Sequence, residues 1–233
     1  MKKHGKKYRS AAEKIEKNKF YNLNEAVELI PQISTTAFDA SIEIHMNLGI
    51  DPKKAEEQIR NTVSLPHGTG KTLKVIAFVT DDKIKEAMDN GAIKAGGKDL
   101  IAEVEKGFLD FDKAVAQPEL MKDLAKIAKV LGPKGLMPSP KAGTVTEHIG
   151  KTVKELQGGR IEYRNDKESN IHNAVGKVSF GKEKILANIK EYLKAVKASK
   201  PSSMKGTYIL TMTLTTTMGP GVPIDINAAM KEV

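Results

Sequence analysis

Hydrophobic periodicity changes twice along this chain, and those changes limit the architecture more than any composition figure does. Between residues 73 and about 158, short apolar runs alternate with helical ones. Residues 73–79 read as a buried strand, Asp81 or Asp82 as the cap of a helix through Met88, and Gly96-Gly97 as the opening of a helix carrying Leu100, Ile101 and Val104. Residues 111–116 form a second strand. Pro118 then starts a helix in which Leu120, Leu124, Ile127 and Leu131 recur every three or four residues until Gly132. With a weak strand near 92–96, this alternation predicts a small parallel sheet covered on both faces.

Outside that stretch the period is two. Residues 41–48 alternate strictly, with Ile42, Ile44, Met46 and Leu48 on one face and Ser41, Glu43, His45 and Asn47 on the other. Residues 160–164 repeat the alternation with Arg160, Glu162 and Arg164 outward. In 207–217, Tyr208, Leu210, Met212 and Leu214 face one way and Ile209, Thr211, Thr213 and Thr215 the other. Two helices accompany these strands. Asn22 with Glu25 marks a cap before Ala26, Val27 and Ile30, and residues 182–197 carry Ile185, Ile189, Tyr192, Leu193 and Val196 on one stripe. Neither flank has enough strands for a stable sheet alone. The expected fold is therefore two-domain: a discontinuous α+β domain from residues 1–67 plus 160–233, and an inserted α/β domain from 68–159. Glycine hinges near 66–68 and 158–159 would join them.

Charge sharpens the division. The chain holds 38 Lys and Arg against 29 Asp and Glu, a net +9 with its five histidines neutral. Of this excess the flanks carry +7 and the insert +2, so a polyanionic partner is expected on the discontinuous domain. Five Tyr, six Phe and no Trp are too few for a surface built from several base-stacking rings, so backbone charge and shape should dominate any nucleic-acid contact. The absence of cysteine excludes disulfides, thiolate zinc sites and cysteine nucleophiles. No run approaches ~18 apolar residues, and the start lacks the apolar core of a secretory signal. The expected location is cytoplasmic, with no membrane contact.

Several motifs have two readings. His67-Gly-Thr-Gly-Lys-Thr72 imitates a phosphate loop, but Leu65 stands where the first glycine belongs and the segment leads into a strand instead of a helix; a hinge is the better reading. Residues 131–144, with three prolines and three glycines, form a stiff exposed loop. It is either a plain connector or a contact element whose Lys134 and Lys141 meet phosphate and whose Leu136 and Met137 meet a partner. The start, with Lys2, Lys3, Lys6, Lys7 and Arg9 and no acid before Glu13, is either a nucleic-acid arm or a solubilising tail. Residues 164–172 are a turn by composition, and their Lys167, Ser169, Asn170 and His172 also suit sugar hydroxyls and phosphates. Thr215-Thr-Thr-Met-Gly-Pro220 ends a strand with small hydroxyls, a flexible apolar side chain and a glycine that admits close backbone approach. The histidines show no metal spacing, and no nucleophile or paired-carboxylate arrangement stands out. No enzyme, cofactor or metal is expected, and His45 reads as a surface side chain.

The strings Gly68-Thr-Gly-Lys71, Leu131-Gly-Pro-Lys-Gly-Leu-Met-Pro138, Pro140-Lys-Ala-Gly-Thr144, Arg164-Asn-Asp-Lys167, Ile171-His172 and Thr215-Thr-Thr-Met-Gly-Pro220 occur in one order. Together they resemble the bacterial L-one family of large-subunit ribosomal proteins, the universal ribosomal stalk proteins, over essentially the whole chain. The resemblance implies a three-layer, Rossmann-like insert and direct binding to large-subunit rRNA as a monomer in a mobile stalk. It also implies help in releasing deacylated tRNA from the exit site and repression of the own-operon mRNA, without catalysis. Carried over by position, the RNA face comprises Phe38, Ser41 and Glu43, then Arg164, Asp166, Lys167, Ser169 and His172, then Lys177, and finally Thr217, Met218 and Gly219. A carboxylate there can accept from a 2′-hydroxyl or a guanine amine. One position departs from the family: Ala37 stands where a basic residue commonly precedes the Phe.

Overall fold

The computed structural model describes residues 4–232, so Lys2 and Lys3 of the basic start lie outside the described residues. The strands, in chain order, are β1 (Ser41–Leu48), β2 (Arg60–Ser64), β3 (Val75–Phe78), β4 (Lys94–Gly96), β5 (Lys113–Ala116), β6 (Arg160–Arg164), β7 (Asn170–Lys177), β8 (Ile209–Thr216) and β9 (Val222–Pro223). The helices are α1 (Lys6–Glu13), α2 (Leu23–Leu29), α3 (Ile84–Asp89), α4 (Lys98–Glu105), α5 (Met121–Leu124), α6 (Ala128–Leu131), α7 (Ile149–Gln157), α8 (Lys182–Ala198) and α9 (Ile226–Lys231). The chain divides into two compact units, one formed by the sequence up to Gly70 and from Ile161 on, the other by Lys71–Arg160. The architecture is mixed α/β with several sheets, as the periodicity leads one to expect.

In the first unit β7, β1, β8 and β9 form an antiparallel sheet in that order. The alternation of 41–48 is realised in full: Ile42, Ile44, Met46 and Leu48 are buried, and the residues between them are half-buried. The apolar face packs with Leu23, Ala26 and Val27 of α2 and with Ile185, Ile189, Tyr192, Leu193 and Val196 of α8 in one core. Each of the Ile, Leu, Val and Met side chains contributes about 1.5–3 kcal/mol on full burial, so a slip of β1 by one residue, which would turn that set to solvent, is strongly disfavoured. Asn22 caps α2 as expected, its Oδ1 accepting from the Glu25 amide at 2.9 Å.

One feature of this unit departs from the sequence reading, and two others lie beyond it. In β8, Leu210 is exposed and Ile209 buried, the reverse of strict alternation. Asn47 pairs with Thr211 but Leu48 pairs with Ile209, so a bulge leaves Leu210 unpaired and turns it outward. The basic start is helical from Lys6: Ala11 of α1, and Ile15 just past its end, pack against the core while Lys6, Lys7 and Arg9 stay exposed. Asn188, on the apolar stripe of α8, is fully buried. Its amide donates to the Gly68 carbonyl at 2.8 Å and the Val175 carbonyl at 2.7 Å, and its Oδ1 accepts from His67 N at 3.0 Å, tying segment 67–68 to the helix.

The second unit holds a parallel sheet of order β4-β3-β5. Alternate residues of β3 serve opposite faces. Ile76 and Phe78 join Leu100, Ile101, Val104, Leu124, Ile127 and Leu131 on one side, while Val75 and Ala77 join Ala87, Ile149, Val153 and Leu156 on the other. The helix expected from Pro118 to Gly132 is broken into short α and 3-10 turns at Leu120, Ala125 and Ile127, although Leu124, Ile127 and Leu131 are buried as their spacing requires. In the loop that follows, Leu136 and Met137 are half-buried against the core, and Lys134 and Lys141 are exposed.

Candidate nucleic-acid interface

The sheet face away from the first unit's core is built from the polar half of the β1 alternation and its cross-strand neighbours. Ser41 lies opposite Lys177; Glu43 opposite Ala174 and Thr215; His45 opposite His172 and Thr213; Asn47 opposite Asn170 and Thr211. Cross-strand pairs stand about 4.5–5.5 Å apart at Cβ, so these rows form one continuous polar surface. Its middle row is a pair of rings: the Nδ1 atoms of His45 and His172 are 2.8 Å apart. His45 Nε2 lies 3.5 Å from Glu43 Oε2, and His172 Nε2 lies 3.7 Å from Asp166 Oδ2. Burial first, and His172 second, hold His45 below the ordinary histidine value, against an opposing pull from Glu43.

At one end of the face the turn after β8 is latched to the start of β1. Ser41 N donates to Thr217 Oγ1 at 3.1 Å, Thr217 N donates to the Ser41 carbonyl at 3.0 Å, and Thr35 Oγ1 donates to the Met218 carbonyl at 3.1 Å. Gly219 N closes the turn on the Thr216 carbonyl at 2.8 Å. These bonds hold Met218 at a φ of 65°, a left-handed conformation that costs a non-glycine residue on the order of 1–3 kcal/mol. Met218 is 76% exposed and Phe38 60%, so two apolar side chains project from segments tied together by the latch. Thr216 beneath them is buried, and its hydroxyl has no partner among the described residues.

At the other end, residues 165–169 make a tight turn. The carboxylate of Asp166 accepts from the amides of Asn170 and Glu168, both at 2.8 Å, and these bonds, Asn170 first, hold its carboxyl below the usual carboxylate range. Lys167 is exposed at the tip. Asn47 Nδ2 reaches Asn170 Oδ1 at 2.8 Å and couples the turn to β1.

The sequence-predicted residues distribute as follows. Phe38, Ser41, Glu43, Lys177, Thr217, Met218 and Gly219 gather at the latch end, with Lys177 Nζ donating to the Asp39 carbonyl at 3.2 Å. Asp166, Lys167 and His172 occupy the turn end. Ser169 differs: it is buried and its hydroxyl donates to the Ile50 carbonyl at 2.8 Å, so it shapes the turn from within. Arg164 ends β6, which pairs with β2 in a separate two-stranded sheet. Lys6, Lys7 and Arg9 sit on α1, and Lys134 and Lys141 belong to the other unit. His45, Asn47, Thr213 and Thr215 are the additions. The 41–48 alternation already put His45 and Asn47 on the face of Ser41 and Glu43; pairing with β7 and β8 supplied the rest.

This surface is open and polar, with two apolar tips and hydroxyl, amide, carboxylate and imidazole groups spread over three strands. Among the described residues no group of three or more His, Asp or Glu is arranged to hold a metal, and no helix is long and apolar enough to cross a membrane. Residues 30–220 match the Ribosomal protein L1p/L10e family. Curated relatives named large ribosomal subunit protein uL1 are similar over nearly the full chain. That of Chloroflexus aggregans is 49% identical, covering 98% of both chains; that of Thermobifida fusca is 47% identical, covering 97% of this chain and 96% of its own; that of Thermus thermophilus is 46% identical, covering 97% and 99%. The chain belongs to the ribosomal protein L1p/L10e family, whose members are structural ribosomal components and not enzymes.

Proposed function

We propose that this protein is a constituent of the large ribosomal subunit in the cytoplasm. In this reading the unit built from both chain ends is its RNA-binding domain, and Lys71–Arg160 is an inserted, Rossmann-like second domain. The first unit docks as a monomer on large-subunit rRNA through the β1, β7 and β8 face, and the assembly forms the mobile stalk that assists release of deacylated tRNA from the exit site. The same surface binds the mRNA of the protein's own operon and represses its translation. The observation that carries the reading is the latch: the sequence-distant segments 35–43 and 217–219, which hold RNA-face positions implied by the family resemblance, are hydrogen-bonded to each other and present Phe38 and Met218 outward. Such a preformed patch spends little ordering entropy on binding, which suits a binder of modest net charge.

The test is crosslinking of the chain to RNA in cell lysate followed by sequencing. Reads from large-subunit rRNA and from the own-operon messenger are expected. Reads from neither would overturn the proposal, and reads from the messenger alone would replace a stalk constituent with a free-standing repressor.

A further inference from the structure

The row Glu43, His45, His172, Asp166 is a line of four titratable side chains across β1 and β7, and it rests on no bond already assigned to the latch. Two ring nitrogens at 2.8 Å cannot both carry a proton, nor can both be bare without repelling. One donates and the other accepts. The outer nitrogens each face a carboxylate, at 3.5 Å for His45 and 3.7 Å for His172, and each is matched to it only when protonated. Complementarity along the whole row therefore requires three protons on four ring nitrogens, which is one more than two neutral imidazoles carry.

Within the proposed RNA-binding reading, we infer that His45 is a positioning residue that locks His172 through the shared Nδ1 proton, and that the pair takes up one proton when the face engages RNA. His45 stays neutral with its proton on Nε2 toward Glu43, and its bare Nδ1 accepts from His172. His172 carries the added proton, donates through Nδ1 to His45, and faces the Asp166 carboxylate as an ion pair across 3.7 Å. Burial of His45 agrees with this assignment, since desolvation disfavours its charged form. The charged groups acting on the row are Glu43 on β1 and Asp166 in the turn; β8 contributes only Thr211, Thr213 and Thr215. Uptake of the proton reduces the row's net negative charge from −2 to −1, which weakens its repulsion of a phosphate backbone. The two ring centroids stand 4.9 Å apart with their planes at 57°.

The experiment uses the full chain, a transcript of the large-subunit rRNA that it crosslinks, and ring-nitrogen NMR of the free protein. Affinity should tighten by about three- to tenfold between about pH 8 and about pH 6, never more steeply than tenfold per unit because a single proton is involved. His172→Gln should flatten that slope. His45→Leu should weaken binding several-fold, and His45→Gln, whose amide oxygen can accept from His172 Nδ1, should restore most of it. In the NMR spectrum His45 should keep its Nε2–H tautomer while His172 becomes doubly protonated. A flat wild-type profile, His45→Leu binding like wild type, or His45 protonating first would overturn the inference and leave the RNA reading standing. No binding at any pH would overturn both.

Discussion

Gly219 offers the sharpest steric test of the latch. Its φ is not in the left-handed region, so a side chain there meets no backbone penalty, only its neighbours. A Cβ at this position would stand 2.2 Å from Thr216 Oγ1 and 3.2 Å from the Thr216 carbonyl oxygen. The first distance forces a shift, and Thr216 is buried, so its neighbours must move with it. Overpacking of this kind costs typically about 1–3 kcal/mol. The expected result for Gly219→Ala is a stability loss in that range, read from urea unfolding, together with a tenfold or greater loss of rRNA affinity as Met218 is displaced. The structure also specifies the cure. Because the Thr216 hydroxyl has no partner to lose, Thr216→Ala removes the obstacle without breaking a hydrogen bond, and the double variant should recover most of both losses. Strict additivity of the two substitutions, or wild-type affinity in Gly219→Ala alone, would refute the reasoning.

Three further outcomes are expected. Thr217→Ala leaves the part-buried Ser41 amide without its side-chain acceptor and should weaken rRNA binding by more than about 1 kcal/mol in a filter-binding titration, whereas Lys134→Ala, in the other unit, should weaken it less. Asn188→Ala removes three hydrogen bonds and strands His67 N and the Gly68 and Val175 carbonyls, so urea denaturation should show a loss of roughly 3–5 kcal/mol. Asp166 has a folded value below its unfolded one; its stabilisation is complete above the ordinary carboxylate range and disappears as pH falls through the lowered folded value. The melting-temperature gap between wild type and Asp166→Ala should therefore be constant near neutrality and close in strong acid.

What sequence made legible follows local physics closely. The period-two run of β1 and the Asn22 cap come from side chains whose environment is set within a few residues, and the parallel sheet with both faces covered follows from apolar spacing within each strand and helix. The misses depend on distant partners. The β8 bulge arises from pairing with β1 and has no glycine or proline to announce it. Asn188 looks like a flaw in an apolar stripe until segment 67–68 is brought to it. His45 looks like an ordinary surface histidine until register sets it against His172, and Ser169 looks available until the turn folds its hydroxyl toward Ile50. The basic start concealed α1 because its anchors, Ala11 and Ile15, lie just beyond the charged run.

Peptide-level mapping of protein–RNA crosslinks on the assembled large subunit addresses the central claim most directly. Crosslinks are expected to concentrate at Phe38, at Met218 and in residues 165–172, the parts of the β1, β7 and β8 face that project outward. Crosslinks confined to residues 71–160, with those three places unmodified, would contradict that claim.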